Sequence, residues 1–332
     1  MGKVLCFGEL LMRLSPQLGG GWISKNTMPV FIGGAELNTA TALAAWKVPV
    51  AYCTALPDHH LTTEIIDSIR SKGIDPGKIQ LRGNRIGIYY LPQGTDLKGA
   101  GVIYDRAHSS FWDLEPGQLN WDEILKDVDW FCWSAISPAL NANVTAVCKE
   151  GVEAASKKGI TICVDLNYRA KLWQYGKAPH EVMPELVQHC DAIMGNIWAE
   201  EKMLGIPLSK NLGNSKGAYI DQSSQSSEQL TREFPKCKQV ANTFRFDGDK
   251  GLNYYTTLYS GNQLFTSAEY NTETVVDRVG SGDTFMAGLI YGAYHKHAPQ
   301  AIIDFATAAA FNKLFIKGDA STATVEQIKK RI

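Results

Sequence analysis

Two periodicities alternate along the chain. Short apolar runs recur as "VLCFGELLM" (4–12), "DWFCWSAIS" (129–137), "ITICVDLNY" (160–168), "DAIMGN" (191–196) and "KQVANTFRF" (238–246). Between them lie stretches with helical spacing, among them "AELNTATALAAW" (35–46), "NVTAVCKEGVEAASKKG" (143–159) and "HEVMPELVQHC" (180–190). Strand–helix–strand alternation with short turns predicts an α/β fold, a largely parallel sheet covered by helices on both faces. In such folds ligands bind beyond the carboxyl ends of the strands.

Two segments depart from the alternation. "IGIYYLP" (86–92) and "VIYDRA" (102–107) are strand-like runs around the loop "QGTDLKGAG" and predict a β-hairpin or ribbon. "LGGGWISKNTMPVFIGG" (18–34) also lacks a helical period. Together they predict a small β lid, drawn from roughly 12–32 and 86–107, over one α/β body that spans 1–332. No internal repeat or linker divides the chain. The polar stretch "DQSSQSSEQ" (221–229) reads as surface loop or helix entry.

Composition narrows the function classes. The 332 residues carry 33 Lys+Arg against 34 Asp+Glu, so no basic block points to nucleic acid. Seven scattered cysteines without a C-x-x-C indicate neither a zinc site nor a disulfide framework, and a reducing cytoplasm is expected. No stretch approaches the length of a membrane span. The first apolar run is broken by Glu9 and Arg13, which suits a first strand and not a signal peptide.

The candidate chemistry lies at two glycine turns. In "TVVDRVGSGDTFMAGLIYGAYH" (274–295) a strand-like run stops at Gly280-Ser281-Gly282-Asp283. A helix follows at once, with Phe285, Met286, Leu289, Ile290 and Ala293 at helical spacing. Free N–H groups and the positive end of the helix dipole make an anion site. Taken alone, Asp283 reads more readily as a helix cap than as a functional group. "FIGGAELNTATA" (31–42) is a second Gly-Gly turn opening a helix, with Gly33, Gly34 and Asn38.

The pair of turns, "GGAELN" at 33–38 and "DRVGSGD" at 277–283, resembles the signatures of the ribokinase-like (PfkB) carbohydrate kinases. The resemblance covers essentially the whole chain, lid included. It implies ATP and Mg²⁺ as cofactors and Asp283 as the general base that takes a proton from a sugar hydroxyl. Gly280, Ser281 and Gly282 match the anion hole for the transferring phosphoryl group, and Gly33, Gly34 and Asn38 match the sugar side. Phosphoryl transfer needs such donors, since its charge spreads over the equatorial oxygens. Family lids often pair between subunits, so by analogy a homo-oligomer stays open.

Within the family, "GIYYLPQG" (87–94), "VIYDRAHSSF" (102–111) and "DLNYRAKLW" (165–173) are most similar to the 2-keto-3-deoxygluconate kinases. That likeness implies an acidic sugar as substrate, with Tyr89, Tyr104, Arg106 and Arg169 around it. An arginine fork suits a carboxylate. Strand register is needed to choose between Tyr89 and Tyr90; the family position is Tyr89. A fructokinase or other keto-sugar kinase is the nearer alternative, and a sugar-acid sensor without turnover is the alternative of another class.

Three departures from the family stand out. "GNIWAEEKMLG" keeps Asn196 but has Ala199 where a Glu is expected, leaving Glu200, with Asp277, as metal candidates acting through water. The glycine-rich nucleotide strand is altered to "TFRFDGDKGLNYY", where Arg245 and Gly251 are candidates for nucleotide binding. Asn312 resembles a nucleotide-side position on the last helix. "DGDKG" (247–251) is read as a turn, and His295 and His297 are not at metal-ligand spacing. Trp121, Trp130 and Trp133 are read as packing residues, with Trp112 the one that could reach the lid.

Overall fold

The computed structural model describes residues 2–94, 101–248 and 251–332. The loop between the two lid runs and the turn read at 247–251 therefore lie partly outside the described residues.

The chain opens with β1 (Lys3–Phe7), β2 (Leu11–Leu14), β3 (Val30–Gly33), α1 (Ala35–Ala45) and β4 (Val50–Cys53). Next come β5 (Ala55–Leu56), α2 (His60–Ser71), β6 (Gln80–Leu81), β7 (Gly87–Tyr90) and β8 (Ile103–Asp105). The short α3 (Trp121–Ile124) leads into β9 (Val128–Ser134), α4 (Ala142–Lys157), β10 (Thr161–Asp165), α5 (Pro179–Val187) and β11 (Ala192–Gly195). α6 (Ile197–Leu204) and α7 (Lys216–Glu233) precede β12 (Gln239–Gly248), β13 (Gly251–Ser260), β14 (Gln263–Thr266) and β15 (Tyr270–Thr272). The chain ends with α8 (Ser281–Tyr294), α9 (Pro299–Lys313) and α10 (Val325–Lys329).

The main sheet runs β14-β13-β12-β11-β10-β9-β1-β4, with β15 also on β13. From β12 to β4 every pairing is parallel, and the β13–β15 side is antiparallel. Side chains alternate across it, as the pleat requires. Leu5, Phe7, Phe131 and Trp133 pack with α4 and α5 on one face, while Val4, Cys6, Cys132 and Cys163 face α1, α8 and α9 on the other. The α/β fold read from the sequence is this one. Trp121 and Trp133 are buried in the first of these cores.

A second, mixed sheet, β3-β2-β7-β8, forms the lid from both expected segments. β7 and β8 pair antiparallel, and β2 pairs parallel with β7.

Three expectations are corrected. "VLCFGELLM" is not one strand: β1 belongs to the main sheet and β2 to the lid, and the chain turns between them at Gly8-Glu9-Leu10. Residues 274–279 form no strand; Val276 and Asp277 donate their N–H groups to the Leu314 carbonyl instead. The polar 221–229 stretch is the middle of α7, and Gln222, Ser223, Ser226 and Ser227 are buried. Hydrogen bonds make the burial of three of them tolerable: Ser223 Oγ and Thr257 Oγ1 share one at 2.8 Å, and Gln222 Nε2 donates to Ser226 Oγ.

Candidate active site

Gly280 caps α8 with φ 80°, a left-handed conformation. A Cβ there would stand 1.7 Å from the Asp319 carbonyl, so only glycine makes this turn. The turn leaves the first N–H groups of α8, those of Ser281, Gly282 and Asp283, without intrahelical acceptors. Across from it, Gly34 caps α1 with φ 129°, where a Cβ would meet the Glu9 carbonyl at 2.3 Å.

Asp283 sits between the two helix starts. Asn38 Nδ2 donates to its Oδ2 at 2.7 Å, and Thr39 Oγ1 donates to its backbone carbonyl at 3.1 Å. Burial raises the Asp283 carboxyl to about 7; the Asn38 bond opposes this, Asp165 adds to it, and Arg169 opposes it. A carboxylate so placed exchanges a proton near neutral pH, as a general base must.

These groups open onto a cavity of about 810 Å³, within the usual size of small-molecule sites. It lies at the carboxyl ends of the parallel strands, with Asp165 ending β10 and Gly195 ending β11. A larger open groove, about 1050 Å³, lies around Trp130, Thr161 and Gln239 at the opposite ends of the strands. We place the site in the smaller cavity, because the perturbed carboxylate and both glycine turns are there.

The sugar-side candidates converge. Gly34, Asn38, Tyr89, Tyr104, Arg106 and Arg169 line the cavity, and Ser281 and Gly282 line it beside Gly280. The lid register brings Tyr89, not Tyr90, into it. Gly33 stands behind this wall: a Cβ on it would meet the Asp319 carboxylate at 2.4 Å. Arg106 is not solitary, however. Its Nε donates to Glu9 Oε2 at 2.6 Å, and the pair is 3% and 2% exposed. Tyr89 also has a partner: its hydroxyl donates to Asp319 Oδ2 at 2.8 Å. Glu9 and Asp165, which line the cavity, were missed from the sequence, as was Asp319 behind it. Glu9 had a signal, a charge inside an apolar run.

The nucleotide-side candidates divide. Asn196 and Arg245 line the cavity, and Asn196 Oδ1 caps α6 by accepting from Ala199 N at 2.9 Å. Gly251 and Asn312 are not among its lining residues. Gly251 opens β13 hard against the Thr272 carbonyl, so its small size serves strand packing. Trp112 is likewise absent from the lining and packs against the core that holds Phe7.

Neither metal candidate faces the cavity. On α6, Ala199 lines it, and Glu200, one helical position further round, is fully buried in the interior. Burial raises the Glu200 carboxyl to about 7, with the Asn242 amide opposing. Asp277 instead holds the turn: it accepts from Val279 N and Gly318 N, each at 3.1 Å, and pairs with Arg13 at 2.8 Å.

Comparison with known proteins agrees with this geometry. The model of the pfkB family carbohydrate kinases matches residues 1–323. The chain belongs to that family. It is 26% identical over 335 residues to the 2-dehydro-3-deoxygalactonokinase of Haloferax volcanii, covering 99% of this chain and 96% of the relative. It is 26% identical to fructokinase-2 of Solanum lycopersicum over 293 residues, 87% of this chain and 81% of the other. The crystal structure of 2-dehydro-3-deoxygluconokinase from Thermotoga maritima superposes with a TM-score of 0.89 at 33% identity, covering 99% of this chain and 97% of that one. The pfkB fold is thus the ribokinase-like α/β architecture with its lid, and the protein is a carbohydrate kinase.

Proposed function

We propose that this kinase transfers the γ-phosphoryl group of ATP to the 6-hydroxyl of 2-keto-3-deoxygluconate. The observation that carries the reading is one cavity holding a base poised near neutrality, Asp283, and two arginines, Arg106 and Arg169, from separate elements. Arg169 and the outer edge of the Arg106 fork bind the sugar carboxylate, and Tyr89 and Tyr104 close the lid side. Asp283 takes the proton as the hydroxyl oxygen attacks the γ-phosphorus and ADP leaves. The N–H groups of 281–283 meet the charge on the equatorial oxygens, already aligned before reaction. ATP lies on the side of Asn196 and Arg245.

Mg²⁺ neutralises phosphate charge in such transfers. The described residues hold no cluster of three or more metal-ligating side chains. An ion there would be carried by the ATP phosphates and water, and the Asp165 carboxylate in the cavity wall would supply it an oxygen ligand.

One observation favours a second reading. Glu9 already engages Arg106, which weakens the case for an acidic sugar and admits a neutral ketose such as fructose.

The test is ATP consumption with 2-keto-3-deoxygluconate, its galacto epimer, fructose, ribose and no acceptor. Turnover confined to the keto-acids is expected, with Asp283→Asn lowering kcat by roughly 10²–10⁴-fold. Preferential turnover of fructose would remove the carboxylate role of the arginines, and full activity of Asp283→Asn would remove the base.

A further inference from the structure

Lys313 ends α9 and is fully buried, 0% exposed, which is rare for lysine unless its charge is paired. Its ammonium donates to the Ile316 carbonyl at 2.9 Å. Its Cε lies 3.5 Å from where a Cβ on Gly280 would stand, directly behind the glycine turn. The turn and the segment after α9 are joined on both sides. Val276 N and Asp277 N donate to the Leu314 carbonyl at 2.8 and 3.2 Å, and Gly318 N donates to Asp277 Oδ2. The charged groups facing Lys313 are Asp277 and Asp283 beside the turn, Asp319 on its own loop, and Arg13 from the lid.

We propose that Lys313 is a positioning residue for phosphoryl transfer. Its ammonium clamps the 316–319 segment behind the Gly280 turn and, as a fixed cation there, favours the negative charge that gathers in front of it. This rests on the kinase reading above. The clamp matters because the N–H donors of 281–283 are useful only if held in place before the charge develops. A buried cation among carboxylates does this without a mobile ion and without solvent. Burial brings the ammonium down to about 8, with Asp277 and Asp319 opposing that shift and Arg13 adding to it. The clamp is therefore charged below that pH and is lost as pH rises through it.

Lys313→Met retains the stem without the charge. Expected is a fall in kcat of about tenfold to a hundredfold, with KM for ATP and acceptor changed by less than about threefold, the pattern of an interaction made in the transition state. The wild-type kcat should also decline as pH rises through about 8, and that limb should vanish in Lys313→Met. A residue that only fills space would leave the pH profile unchanged. Wild-type kcat and an unchanged alkaline limb in the variant overturn the proposal. Should Lys313→Met fail to fold, the wild-type profile decides: a plateau across the alkaline range overturns it. A wild type inactive on every acceptor would sink the substrate reading and not this one. Calorimetric binding of ADP alone and of ADP with magnesium and aluminium fluoride, a mimic of the phosphoryl group in transfer, to both proteins then judges Lys313. Weaker binding of the mimic by the variant with ADP binding unchanged supports the clamp, and equal binding of the mimic by both proteins overturns it.

Discussion

Asp283 is a carboxylate whose ionisation the fold disfavours, and this sets its usefulness. With its carboxyl raised by burial to about 7, it is protonated below that pH, where the base proposed above would be inert. It becomes competent as pH rises through it. kcat should therefore fall on the acid side with an apparent pKa near 7, and a pH–rate profile checks this; a flat profile down to pH of about 5, nearer an ordinary carboxylate, would contradict it. At this scale the sequence was informative where chemistry needs glycine next to a functional group, as at Gly280–Asp283 and Gly34–Asn38. It was uninformative about pairing. Glu9 and Arg13 look like solvent-facing interruptions of an apolar run, yet both are buried, Glu9 against Arg106 and Arg13 against Asp277 and Asp319. Their partners lie far away in sequence, so no local pattern announces them.

Among the elements, β2 shows where periodicity reading stops. Its residues continue the apolar run of β1, and nothing in composition marks the passage from the main sheet to the lid; tertiary pairing with β3 and β7 does. The α7 stretch fails for a related reason: serine and glutamine read as exposed, but partners on β13 and within the helix satisfy Gln222, Ser223 and Ser226. By contrast β9–β12 and α8 were legible, because long apolar runs and strict helical spacing leave few alternatives. β2 also ties the lid to the body. Arg13 Nε reaches Asp319 and its NH2 reaches Asp277, both at 2.8 Å, while its guanidinium lies 4.4 Å from the centre of the Phe31 ring. Arg13→Met would leave two carboxylates without this partner, and losses of about 3–5 kcal/mol are typical when a buried pair is broken from one side. Urea unfolding should show that drop, and a midpoint within error of wild type would mean that the network is not held by Arg13.

Across the whole molecule, the cavity is shared between two sheets. Tyr89 and Tyr104 come from the lid, while Asp165, Arg169 and Asp283 come from the carboxyl ends of the main sheet and the start of α8. A ligand that touches both should stabilise the folded protein as a unit. At a concentration a hundred times its Kd, such a ligand adds about 2.7 kcal/mol, which in a chain of this size raises Tm by several degrees. The body alone carries the proposed ATP contacts, so nucleotide and sugar should separate in their dependence on the lid. In Tyr104→Ala, saturating ATP should still raise Tm as it does in wild type. The keto-acid, at the concentration that shifts wild type, should lose most of its effect. Differential scanning fluorimetry of both proteins with each ligand measures this. Equal keto-acid shifts in the two proteins would place the acid on the body alone and leave the lid no part in binding it. Loss of both shifts would mean that Tyr104 supports the cavity as a whole, not the sugar side.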